Sequence, residues 1–334
     1  MTTLAVGLTL TAAVARADPS TKPPAQTTSE PPTTVQSVTV TPSLPSKPPP
    51  EAAVHAFVQS HATPTHIGQL PRWHVPVCAR IAGIDPQRGA KIVARVVDLA
   101  KRVGAPVAPA TCHANFAILV SDDPQSVLDY IKKHQPALLG YHYPDQTQRI
   151  ATVRYPIQAW YVTASGGEGR AVTVSIGRSA AMGGGSSFTG GSQANLGGGP
   201  ATIDDPCCGA GGGVAGSRLT SEMTSAFAAV VVVVDARVLA DHDEILVGDY
   251  VGVLGLSKTN PSQTCGPLAS VLDALVQGCA DADGVTEATA SDLAFLKALY
   301  ATDASNPGWM QRASITDMMG REAKQLESVS STAR

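Results

Sequence analysis

The sequence predicts an α+β fold, with a mixed sheet and helices collected toward the C-terminus. Three observations predict it. Strand-like apolar runs are interleaved with segments of helical period, in the order β-α-β-α-β-β-α-α-α. The valines at 230–234 are stopped by Asp235 and Arg237, which marks a buried strand and not a membrane span. Pro156 interrupts another strand-like stretch, and a residue without an N–H is confined to sheet edges.

Residues 51–61 form a short helix candidate, followed by a proline-interrupted loop. Residues 73–84 alternate as a strand. In 86–103, Ile92, Val93, Val96, Val97 and Leu99 recur at helical spacing with Lys and Arg opposite, and Gly104 is placed as a C-terminal cap. Residues 115–121 are the next strand. A helix over 124–133 follows, with Asp123 as its N-cap, worth about 1 kcal/mol. Residues 151–164 read as a strand pair or one strand kinked at Pro156. Residues 227–238 are a buried strand, and helices follow over 243–257, 267–276 and 289–300, the last capped by Thr289 or Ser291. A polar helix over 310–325 closes the chain.

Three N-terminal and internal segments stand apart from this domain, which is expected over 52–328. Residues 1–17 read as a signal peptide: a short apolar stretch ends in Ala15-Arg16-Ala17, an A-x-A cleavage pattern, although the basic n-region is missing. Residues 18–51 are a Pro/Thr-rich spacer with few large apolar side chains and are expected to be disordered. Residues 182–216 hold 13 of the 31 glycines and read as a flexible insertion. That run contains no Lys and lacks G-x-x-x-x-G-K-S/T, so it is not a phosphate cradle, and no cofactor is expected.

Net charge is −3 and no long basic run occurs, which excludes a nucleic-acid footprint. Six cysteines in an exported chain read as disulfides. Cys265 and Cys279 flank the helical stretch 267–276. Cys78 ends one strand-like run and Cys112 precedes another, so neighbouring strands bring them together. The predicted pairs are Cys78–Cys112 and Cys265–Cys279, with the state of Cys207 and Cys208 left open. No C-x-x-C spacing supports zinc.

The stretch DEILVGDYVGVLGLSK at 243–258 has the shape of a metallopeptidase motif helix, which in H-E-x-x-H form sets two ligands one turn apart with Glu as base. The chain resembles a group of uncharacterised exported proteobacterial proteins sharing RWHVPV, ANFAILV, ALLGYHYP, PIQAWYVT, GSRLTSEM and DLAFLKALY, over about residues 54–320. More remotely it is similar to zincin-like proteins of unknown function. In these a strand near Arg-Trp, a helix, an Ala-Asn-Phe strand and a His-Glu helix running into Leu-Gly-Leu precede a Ser-Ile/Val segment and an Asp-x-x-x-Leu-x-x-Leu-Tyr helix. Aligning Leu254-Gly255-Leu256 on that pattern puts Val247 at the His position and Gly248 at the Glu position. The resemblance therefore implies a zincin-like scaffold without a metal site, a pseudo-metallopeptidase. Asp249 and Tyr250 are expected to fix the helix against the sheet by hydrogen bonds to neighbouring backbone.

The polar cluster Asp241, His242, Asp243 and Glu244 reads as a helix N-terminus, with Asp243 as cap. A ligand groove is expected around His142, Tyr143, Arg149, Arg154, Trp160 and Arg218, because aromatics beside guanidiniums can stack and pair charge. Ser217 lacks the G-x-S-x-G elbow. The expected function is a non-enzymatic binding or envelope-associated protein, periplasmic or secreted, with an unidentified protein or peptide partner. The alternative is a hydrolase using His142, Arg154, Ser217 and Glu222.

Overall fold

The computed structural model describes residues 50–140, 146, 149–167, 202–203, 223–261, 264–279 and 284–332. Among the described residues the helices around the sheet include α1 (Glu51–His61), α2 (Pro86–Val103), α3 (Pro124–His134), α4 (Val238–Asp241), α5 (Glu244–Leu256), α6 (Ala290–Ala301) and α7 (Gly308–Thr332). The strands are β1 (Ala79–Ala82), β2 (Phe116–Ser121), β3 (Ile157–Gly167), β4 (Thr202–Ile203) and β5 (Met223–Asp235).

The helix starts follow from local chemistry. Asp85 accepts from the amides of Gln87 and Arg88, with Pro86 in the first turn of α2, and Gly104 closes that helix at φ 82°. Asp123 and Asp243 cap α3 and α5 in the same way, and Thr289 forms a capping box with Asp292 on α6.

The sheet order is β1-β2-β5-β3-β4. β1, β2 and β5 are mutually parallel, whereas β3 runs antiparallel to β5 and β4 antiparallel to β3. Both faces of the parallel part are covered, which is why its strands are nearly continuous apolar runs. On one face Phe116, Ile118, Val230 and Val232 meet Ile92, Val96 and Leu99 of α2 together with α5 and α6. On the other, Ala117, Leu119, Val231 and Val233 meet Leu128 and Ile131 of α3. A register shift at Val162/Thr163 interrupts the β3–β5 ladder.

As the predicted order has it, α2 and α3 lie between strands and α4 to α7 follow the last strand. Other expectations change. The strand expected over 73–84 shrinks to Ala79–Ala82, preceded by single bridges at Arg72 and Val77. Pro76 sits between those bridges without an N–H for a ladder. The helix expected over 267–276 is only a 3₁₀ turn at Val271–Asp273. There the Asp292 carboxylate accepts from Ser270 Oγ (2.6 Å) and Val271 N (2.8 Å), so tertiary hydrogen bonds override local helical preference. β5 stops at Asp235, whose carboxylate accepts from Arg237 N and turns the chain into α4. Within the run 182–216, Thr202–Ile203 forms β4; the rest, including Cys207 and Cys208, lies outside the described residues.

Cys78 is joined to Cys112, and Cys265 to Cys279. Such bonds fit a chain that matures in an oxidising compartment. No helix among the described residues is long and apolar enough to cross a membrane.

His61 gives the core a pH dependence. His61 is 6% exposed and its ring stacks on Phe57 at 3.8 Å, with Nδ1 3.0 Å from the Phe57 carbonyl oxygen and Nε2 without a partner among the described residues. Burial pushes its pKa below 6.5, outweighing attraction to Asp292. The unfolded chain thus takes up the proton first, so stability is full above 6.5 and is lost as pH falls toward the depressed folded value. The urea midpoint is expected to drop between about pH 7.5 and about pH 5.5, and His61→Phe to flatten that slope. An unchanged slope in the variant would assign it to other groups.

Candidate functional site

The motif helix α5 is buried along its length, and every position from Leu246 to Leu256 is covered. Val247, which the resemblance aligns with a zinc ligand, is 1% exposed in the core. Gly248, which the resemblance aligns with a catalytic Glu, faces α2: a Cβ there would lie 2.6 Å from Arg95 Cβ and 3.2 Å from the Ile92 carbonyl oxygen. One turn on, a Cβ at Gly252 would meet Leu99, and at Gly255 it would enter the Phe116 ring of β2. These glycines let α2 and β2 approach the helix backbone. The face that would carry a catalytic pair is a packing face.

The C-terminal carbonyls of a helix lack intrahelical donors. On α5 three aromatic side chains supply them. Trp73 Nε1 donates to Gly255 O (2.7 Å), Tyr300 Oη to Leu256 O (3.0 Å), and Tyr161 Oη lies 3.0 Å from Leu254 O and 2.9 Å from Thr259 O. Burial raises the pKa of both phenols far above the ordinary value, which keeps them protonated as donors.

Asp249, fully buried, accepts from Arg95 Nε (2.9 Å) and Nη2 (2.8 Å), and from Ala288 N (2.7 Å). It ties α5 to α2 and to the segment entering α6: the expected backbone bond is accompanied by an ion pair, and the carboxylate anchors the helix to α2 and not to the sheet. Arg95, the partner, was not singled out in the sequence; its only signal is its place opposite the apolar stripe of α2. Asp243 caps α5 and Glu244 pairs with Arg88 at 2.5 Å, so that acidic cluster is consumed by the helix start. Among the described residues no group of three His, Cys, Asp or Glu could hold a metal ion.

A second feature lies at the free side of β3. A groove of about 720 Å³ is lined by consecutive β3 residues, Gln158, Ala159, Trp160 and Tyr161, and by Thr163. Successive strand residues point to opposite faces, so a groove touching all of them runs along the strand edge. β4 pairs only with Ala164 and Ser165, leaving 157–163 without a second partner strand among the described residues. The lining also includes Thr65, His66, Lys258, Asn260 and Pro261, and Leu139, Gly140, Gln146, Arg149, Arg154 and Tyr155.

Of the expected groove residues, Arg149 and Arg154 line this site, both exposed. Trp160 borders it but is 4% exposed, its ring packed in the core beside α3 and its Nε1 donating to Ile150 O (2.9 Å). Its role is to hold the wall that carries Arg149. His142, Tyr143 and Arg218, and the Ser217 and Glu222 of the hydrolase alternative, lie outside the described residues. Gln158, Tyr155, His66 and Lys258 belong to the groove and were not singled out. Lys258 directly follows the motif helix, and the edge proline Pro156 was the one local signal for this face.

No family model, no curated protein and no solved structure matches this chain.

Proposed function

We propose that this chain is an exported, non-enzymatic binding protein of the cell envelope, built on a degenerate zincin-like scaffold, that holds an extended segment of a partner protein along the open edge of β3. The observation that carries the reading is the groove along an edge of β3 that, over 157–163, has no second partner strand among the described residues, so its backbone can accept one more strand. The scaffold reading draws support from contacts that join the separate pieces of the resemblance. Trp73 bonds Gly255, Tyr300 bonds Leu256, and Ser270 bonds Asp292. The burial of Val247 and the packing of Gly248 against α2 speak against a peptidase reaction on α5. The two disulfides fit a periplasmic or secreted chain.

A random peptide library selected on the purified protein is expected to return ligands that bind in extended form. Methylating alternate backbone nitrogens of such a ligand should weaken it at least about tenfold, because ladder hydrogen bonds supply its affinity. Ligands indifferent to N-methylation would overturn the edge-strand reading. One zinc per chain with chelator-sensitive peptide cleavage would overturn the non-enzymatic one.

A further inference from the structure

We infer that His61 is a proton-operated latch on the β3 groove: a proton taken up by its ring opens the end of α1, frees the segment 62–69 from the loop after α5 and so loosens part of the groove lining. This names a regulation of the groove proposed above and rests on that reading. The two stretches that meet at the latch both contribute to the lining, Thr65 and His66 from one, Lys258, Asn260 and Pro261 from the other. They are joined at and just beyond the last residue of α1. Thr259 Oγ1 donates to the His61 carbonyl (2.6 Å), Thr63 N to the Lys258 carbonyl (3.1 Å), and Lys258 Nζ to the Pro64 carbonyl (3.1 Å).

The folded ring has no place for a second proton. Ser60 Oγ gives its proton to the Phe57 carbonyl (2.9 Å), so at 3.0 Å from His61 Nδ1 it acts as an acceptor, and Nδ1 carries the hydrogen of the neutral ring. An added proton therefore goes to Nε2, which is buried and has no acceptor among the described residues, with the ring stacked on Phe57 and edge-on to Phe295 at 5.8 Å. Asp292 of α6 attracts the ring's charge, but its carboxylate already accepts from Ser270 Oγ, Val271 N, Thr289 N and Thr289 Oγ1. On α7, Asp317 is paired with Arg321, and Glu322 with Lys297 of α6 (3.6 Å). A buried charge without a partner is costly, and the imidazolium regains water most readily by unwinding the last turn of α1, where few hydrogen bonds are lost.

Hydrogen exchange of the full purified chain, expressed as protection factors, reads the latch without a ligand. Between about pH 7.5 and about pH 5.0, protection over 62–69 is expected to fall at least about tenfold while the buried strand 230–234 keeps its own, because an open histidine of pKa about 6.5 is protonated roughly thirty to one at the lower pH. His61→Phe keeps the stacking, and keeps His66, but takes no proton at position 61; its 62–69 protection should not respond to pH. Unchanged protection in the natural chain, a fall in step with 230–234, or the same fall in His61→Phe would overturn the latch. If His61→Phe does not fold, the natural chain decides: the His61 ring proton resonances must titrate over the pH range in which 62–69 opens, and titration without opening overturns it. A fluorescein-labelled peptide taken from the library selection at about pH 7.5 should bind at least about fivefold more weakly at about pH 5.0, and His61→Phe should lose most of that difference. Opening of 62–69 with peptide affinity unchanged would overturn control of the groove. Opening in a protein on which no extended peptide can be selected would overturn the edge-strand reading and leave the proton-driven opening standing.

Discussion

Gly248→Glu, alone or with Val247→His, is expected to unfold the chain and not to create a zinc site. A Cβ at Gly248 would lie 2.6 Å from Arg95 Cβ, an atom next to the α2 backbone that cannot swing away, and 3.2 Å from the Ile92 carbonyl oxygen. Overpacking of this kind costs about 1–3 kcal/mol, and a carboxylate forced into the helix interface adds a desolvation penalty of several more. Against a total stability of about 5–15 kcal/mol, that sum removes most of the folded population. Circular dichroism and urea titration of the double variant, with metal content measured on any folded fraction, give the answer. A folded Val247→His/Gly248→Glu protein holding one zinc per chain would show that α5 borders a cleft after all.

Asp249→Ala should cost about 3 kcal/mol. Removing it leaves the Arg95 guanidinium without its bidentate partner and the Ala288 N–H without an acceptor. Breaking a buried ion pair from one side costs about 3–5 kcal/mol. The low end applies because the Arg95 side chain is 23% exposed and keeps Glu287 at 2.8 Å. Asp249→Asn, which can still accept from Ala288 N, should lose less. A double-mutant cycle with Arg95→Met separates the pair from its surroundings, and a coupling below about 0.5 kcal/mol would mean that the helix is held by packing alone.

Local chemistry was legible wherever a signal sits within a few residues. The caps Asp123, Asp243 and Thr289, the terminal Gly104 and the period of α2 act over one or two turns, and the structure places them where the sequence points. The valine run was readable as a buried strand, because a segment apolar at both parities needs cover on both faces. Failures came where distant residues decided local conformation. Residues 267–276 have a helical pattern, but Asp292, far along the chain, takes the Ser270 hydroxyl and the Val271 amide and leaves only a 3₁₀ turn. Residues 73–78 alternate like a strand, but Trp73 spends its indole N–H on the end of α5, and only single bridges form there.

The same division holds for the sites. From the sequence alone it was readable that α5 lacks a His-Glu pair, since Val247 and Gly248 have no ligand atoms. That Gly248 is needed for the approach of α2, and that Asp249 is matched to Arg95, depended on which helix crosses which. Arg149 and Arg154 stood out as cations near aromatics, and Pro156 as the mark of an edge. Lys258 and His66 joined them only because the loops after α5 and α1 fold over the β3 edge. Residue type and short-range spacing determine caps, periods and missing ligands, because those depend on a few bonded neighbours. Grooves and buried ion pairs depend on surfaces that meet only when the whole sheet and its helices are packed.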